Sequence, residues 1–140
     1  MQEKTTFGAH EIWREADTGL ICLSHVGLMT EPEVAVHVDF LLTHQKPSEP
    51  GFLLADNRRA TGITREGRAL LATGRVRTEF EGYVAQFGAP LGVRALVSLM
   101  FKAMQVAVPI KIKLSIFATE AEARAWLIER RRATSVRDER

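Results

Sequence analysis

The densest group of chemically capable side chains in this 140-residue sequence is Asp56-Asn57-Arg58-Arg59. It directly follows the apolar run Phe52-Leu53-Leu54-Ala55, which reads as a strand covered on both faces. In an open parallel sheet, ligands collect beyond the carboxyl ends of the strands, and a following helix N-terminus favours anions. Asp56, Asn57, Arg58 and Arg59, with the hydroxyls of Thr30, Thr61 and Thr64, therefore form a candidate site for a phosphate or carboxylate, or for a partner protein. The bland alternative is a charged loop in which Asp56 is tied to backbone amides or to an arginine, and it is the commoner outcome.

The other reactive residue types offer less. His37 and His44 are seven apart on one helix, on one face but too distant to share a metal. His10 and His25 read as structural residues in or near strands. Cys22, the single cysteine, lies in Leu20-Ile21-Cys22-Leu23 and reads as a core thiol in a reducing compartment. No paired-cysteine, HExxH, glycine-rich phosphate or nucleophile-elbow spacing occurs. The expectation is no catalytic residue, no metal and no cofactor.

The elements that must position these groups alternate along the chain without a linker. His10 to Glu15 and Leu20 to Val26 flank the turn signal Asp17-Thr18-Gly19 and predict a hairpin. Thr30-x-x-Glu33 is a capping box, followed by Val34, Val38, Leu41 and Leu42 at helical spacing. Thr64 caps a second helix over 65–79, with Ala69, Ala72, Val76 and Phe80 inward. Gly67 and Gly74 weaken it by about 1 kcal/mol each. Tyr83 to Phe87 predicts a strand, and Ile110 to Ile116 another, near an edge, with lysines on its outer side. Thr119-x-x-Glu122 opens the last helix, with Ala123, Trp126 and Leu127 inward. The order β-β-α-β-α-β-α-β-α predicts an α/β domain over 1–132, with a charged, flexible tail over 133–140.

The third helix, Pro90 to Val106, stands apart. Its polar residues Arg94, Ser98, Lys102 and Gln105 form one narrow stripe, whereas a surface helix normally has a broader polar face. Packing on more than one side follows, either within the monomer or through Leu96, Met100, Phe101 and Met104 against a second copy. The same helix with Met29 also offers an adaptable lining for a small amphipathic or lipid-like ligand.

Composition sets the remaining bounds. The apolar fraction is 46% and the charged fraction 26%, both ordinary for a globular chain. The net charge of +2 resides in 130–140, where five arginines face two acids, leaving −1 for the rest. That pattern is a solvated helix end and excludes a basic nucleic-acid face. No apolar run is long enough to span a bilayer, and the polar start Met1 to Thr6 lacks a secretory pattern, so the cytoplasm is the expected compartment.

Over roughly residues 8–130 the chain resembles the SpoIIAA-like family, relatives of STAS domains that are sometimes grouped with Sec14 lipid-binding proteins. The resemblance rests on the opening hairpin, the Gly27-x-x-Thr30 step, the strand ending at Asp56, and Phe117-Ala118-Thr119-Glu120-Ala121-Glu122-Ala123-x-Ala125-Trp126-Leu127. It implies a four- or five-stranded, mostly parallel sheet flanked by helices, often in homodimers, and no reaction. Phosphorylatable STAS members carry Asp-Ser-Ser-Gly before the second helix. Here Thr64-Arg65-Glu66-Gly67 stands in its place, so the resemblance implies no phosphoacceptor serine. The leading functional expectation is a non-catalytic, self-associating interaction module whose protein partner is not specified by the sequence. Ligand binding under the third helix comes second, and an enzyme using Asp56 with Arg58 or Arg59 third.

Overall fold

The structure, a computed structural model, describes residues 3–45, 49–73, 79–107 and 111–138. The side chains of Val76 and Met104 lie outside the described part, as do Pro109 and residues 46–48. Six strands and four helices run along the described residues. They are β1 (Thr5–Phe7), β2 (His10–Arg14), β3 (Ile21–Met29), α1 (Glu31–His44), β4 (Gly51–Ile63), α2 (Arg65–Thr73), β5 (Gly82–Phe87), α3 (Leu91–Ala107), β6 (Ile112–Phe117) and α4 (Glu120–Asp138). The expected alternation is present, with the short β1 added at the front. Residues 133–138, expected as a tail, continue helix α4.

The sheet runs β1-β2-β3-β4-β5-β6 in sequence order. β1, β2 and β3 are antiparallel neighbours, and β3 to β6 are parallel. Parallel neighbours are joined by right-handed crossovers. When every crossover steps the same way across the sheet, the connecting helices fall on one face. α1, α2 and α3 accordingly share a face, packing on Leu23, Leu53, Ala55, Val84 and Ile112. α4 alone covers the other face, over Leu20, Cys22, Phe52, Leu54, Ala85 and Phe87. Each strand supplies both layers because its side chains alternate.

Two local features fix the sheet. Gly51 and Gly82 are paired across β4 and β5, and a Cβ at Gly82 would lie 2.1 Å from the Gly51 carbonyl oxygen. Only glycine at 82 lets the two backbones approach this closely. Further along, β4 carries two bulges against β3. Ser24 pairs with Asp56 but Val26 with Arg59, and Gly27 pairs with Ala60 but Leu28 with Gly62. Each bulge adds a residue to β4 and shifts the side-chain alternation.

That shift corrects the expectation that the strand stops at Asp56. β4 continues to Ile63, so Asp56 to Arg59 lie within a strand and not in a loop leading to a helix. The extra residue leaves Arg58 and Arg59 both exposed, while Asn57 and Ala60 on either side are buried. Sequence alternation breaks there, and the break looks like a strand end.

Helix α2 also differs from its expected facing. Ala69 is exposed, and Gly67 with half-buried Leu70 and Leu71 turns inward. A Cβ on Gly67 would stand 2.9 Å from Ile63 Cγ2 and 3.1 Å from Val34 Cγ2. The glycine that costs the helix propensity is the point where α2 meets α1.

Candidate functional site

Where α1, α2 and α3 meet above the sheet, their side chains leave a cavity of about 100 Å³. Its walls are mostly apolar: Leu23, Leu53 and Val84 from the sheet, Leu41 from α1, Leu71 from α2, and Leu96, Val97, Met100 and Phe101 from α3. Helical periodicity explains the α3 contribution. Val93, Leu96, Val97, Met100 and Phe101 fall at i, i+3, i+4, i+7 and i+8, one continuous inner face.

Four polar side chains also line this space: His25, Asn57, Gln86 and His37. Three come from adjacent parallel strands. Position 25 shares a face with Leu23, 57 with Ala55, and 86 with Val84, while the register sets Leu23 beside Ala55 and Ala55 beside Gln86. The result is a polar row toward the carboxyl ends of β3, β4 and β5, where open parallel sheets hold ligands. Asn57 Nδ2 donates to Gln86 Oε1 at 3.0 Å. His37, three residues after Val34 and four before Leu41, faces the row from α1.

The two cavity histidines are electrostatically unusual. His25 is 5% exposed, and its Nε2 is buried without a hydrogen-bond partner; His37 Nε2 is in the same condition. Burial pushes both imidazoles down to about 4, and for His25 the neighbouring His10 adds to this, opposed by the Gly62 and Gly27 backbone. Both rings are therefore neutral near pH 7. A buried polar atom without a partner costs about 1–3 kcal/mol.

His10 lies outside the cavity, edge-on to His25 with ring centroids 5.1 Å apart. Val26 N–H donates to His10 Nδ1 at 3.0 Å, so in the neutral ring Nε2 carries the hydrogen. That Nε2 stands 3.4 Å from Glu33 Oε1 without forming a hydrogen bond of good geometry. Glu33 also accepts from the Thr30 backbone N–H at 2.9 Å and the Thr30 hydroxyl at 3.1 Å. These bonds, led by the backbone one, hold its carboxyl below the usual range.

The residues singled out by sequence are divided by this geometry. Asn57 lines the cavity, while Asp56 faces the other way and binds its own neighbour. Arg58 Nε and Nη2 donate to the two Asp56 oxygens at 3.0 and 2.7 Å, and the guanidinium lies 5.3 Å from the Phe87 ring centroid. Partial burial pushes Asp56 up, but the Arg58 bonds outweigh it and hold the carboxyl below its usual range. Arg59 and Thr61 are exposed at the two bulges. Thr30 is held in the α1 cap, and the Thr64 hydroxyl accepts from Gly67 N–H at 3.1 Å. Leu96, Met100 and Phe101 point into the cavity, whereas Leu91 and Leu99 are 76% and 65% exposed on the same helix.

Sequence reasoning missed His25, His37 and Gln86. The signal for His37 was present, since it sits within the Val34, Val38, Leu41 stripe. Gln86 and His25 needed the register. Cys22 is buried on the α4 side, and burial with the nearby Glu15 pushes its thiol up to about 12. Among the described residues no three histidine, cysteine, aspartate or glutamate side chains gather to hold a metal. Nor is any helix there long and apolar enough to cross a membrane.

No family model matches the sequence, and no curated protein matches it significantly. Among solved structures, it is similar to an uncharacterised DUF3478-family protein with a SpoIIAA-like fold from Shewanella loihica PV-4. The two share 17% identity and a TM-score of 0.56, covering 91% of this chain and 95% of that one. The mostly parallel sheet, the three helices on one face and this likeness agree: the chain has a SpoIIAA-like fold.

Proposed function

We propose that this domain binds a small amphipathic molecule in the cavity between α3 and the sheet. The observation that carries the reading is a mostly apolar cavity containing two buried imidazole nitrogens without partners. Native cores seldom leave such atoms unpaired, whereas ligand pockets combine apolar walls with a few convergent polar groups. Met29 and Met100, flexible and polarizable, suit a wall that reshapes around a guest.

The test pairs native mass spectrometry with a cavity-filling variant. Freshly purified protein is expected to carry a small bound mass that Met100→Trp loses while keeping the wild-type melting profile. An apo mass alone, with no saturable methyl NMR shift on adding short-chain amphiphiles, would overturn the reading.

A second reading, self-association as an interaction module, is supported by a different part of α3. Leu91 and Leu99 are largely exposed on this helix, and Leu28 is 53% exposed at the end of β3. A second copy of the chain is the occupant this reading specifies. Light scattering at micromolar concentration is expected to give a dimer that Leu99→Asp dissociates; a monomer throughout removes the reading.

A further inference from the structure

Resting on the cavity reading above, the lining itself restricts the head group of the guest. The described side chains around it include no lysine, arginine, aspartate or glutamate. Its polar members are two imidazoles and two amides, and the amides already bond each other. What remains unpaired and buried is Nε2 of His25 and Nε2 of His37. From the geometry we infer that the cavity selects an uncharged, hydroxyl-bearing amphiphile, a short-chain alcohol in type, and rejects the matching carboxylate.

Hydrogen-bond inventory gives the first reason. Nε2 of a neutral imidazole is a donor in one tautomer and an acceptor in the other. A hydroxyl has one proton to donate and two lone pairs that accept, so it satisfies the two rings whenever at least one of the two Nε2 atoms carries its hydrogen. A carboxylate only accepts, and its charge would enter an apolar space without a cation to meet it. Protonating the rings to supply that cation works against the burial that holds both near 4. An ammonium head fares no better, since no carboxylate lines the cavity among the described residues.

Volume gives the second. An apolar cavity of about 150 Å³ admits benzene, and this one measures about 100 Å³. On that scale a guest of about four heavy atoms fits the space as it stands, and one of about six needs the flexible Met100 side chain to yield. Long acyl chains require α3 to move away from the sheet.

The experiment is a methyl NMR titration of the whole chain at pH 7.5 with pentan-1-ol and, separately, pentanoate. The Met29 and Met100 methyls report on the cavity. Pentan-1-ol is expected to give saturable shifts with a Kd at least about ten-fold below that of pentanoate. His25→Leu, and independently His37→Leu, are each expected to weaken the alcohol about five-fold or more while leaving the folded amide spectrum intact. Two separate variants keep the test usable if one folds poorly. Pentanoate binding as tightly as the alcohol overturns the head-group inference and leaves the cavity reading standing. Alcohol binding unchanged in both variants also overturns the inference, because the imidazoles are then not its partners. No saturable shift with either probe removes both the inference and the reading beneath it.

Discussion

The two faces of the sheet are built from the same strands and differ in how completely they are filled. Under α4, Leu20, Ala85, Ala123 and Leu127 have no exposed surface at all. Tyr83 and Phe117 pack around Trp126, with ring centroids 5.8 Å away in each case. The margin of that face is clamped by Arg124, whose Nη1 and Nη2 donate to Glu15 at 2.7 and 3.0 Å. The opposite face has three helices, yet it retains a cavity and unpaired imidazole nitrogens. One helix can settle into a single groove, whereas three rigid cylinders over a twisted sheet leave a gap at their junction. Packing density is what a domain maximises for stability, and the departure from it on this face is the space that the proposed guest would occupy.

This contrast is open to direct attack. The largest expected effect is on the filled face: Leu127→Ala should cost about 3 kcal/mol, since a fully buried leucine leaves a void its neighbours cannot close. Urea denaturation measures it, and a cost under about 1 kcal/mol would erase the distinction between the faces.

Acid comes next and acts on the open face. His25 and His37 are held at about 4, below the ordinary 6.5. Between these values the unfolded chain binds more protons than the folded one, so stability is full above about pH 6.5 and falls as pH drops toward 4. Each histidine contributes at most about 1.4 kcal/mol per pH unit in that window. The slope difference between wild type and His37→Leu isolates one of them. It also separates the histidines from Glu15, Glu33 and Asp56, whose lowered carboxyls lose their contribution at more acid pH.

At neutral pH, His37→Leu itself should gain about 1 kcal/mol by replacing a buried unpaired nitrogen with apolar surface. A loss of stability there would mean the imidazole is well satisfied. Met100→Ala should cost only about 1 kcal/mol, because this half-buried side chain already borders empty space. The smallest effect is expected at the surface ion pair: Arg58→Ala should leave the urea midpoint indistinguishable from that of the wild type.

How much of this was legible beforehand depended on the range of the interactions. Val34, Val38 and Leu41 announce a helix face because their spacing is a local property, and Thr30 with Glu33 announces its start. Leu127 and Ala123 likewise follow from periodicity and are buried as expected. The end of β4 was misread because a bulge is imposed by the partner strand: two exposed arginines in succession look like a loop until β3 is set alongside. The helix glycine at 67 was misjudged for a related reason. Its intrinsic propensity is visible locally, but the close approach of Val34 and Ile63 that requires it is not.

The sequence by itself determined the order of strands and helices, the helix caps, the apolar faces and the lack of a familiar catalytic spacing. Those depend on contacts a few residues apart. Tertiary structure alone decided that Asn57 and not Asp56 faces the cavity. It also decided that His25, His37 and Gln86 meet there, and that α3 turns Met100 and Phe101 inward while exposing Leu91 and Leu99. The physical reason is register: a shift of one residue sends a strand side chain to the opposite face, and register is set by the neighbouring strand.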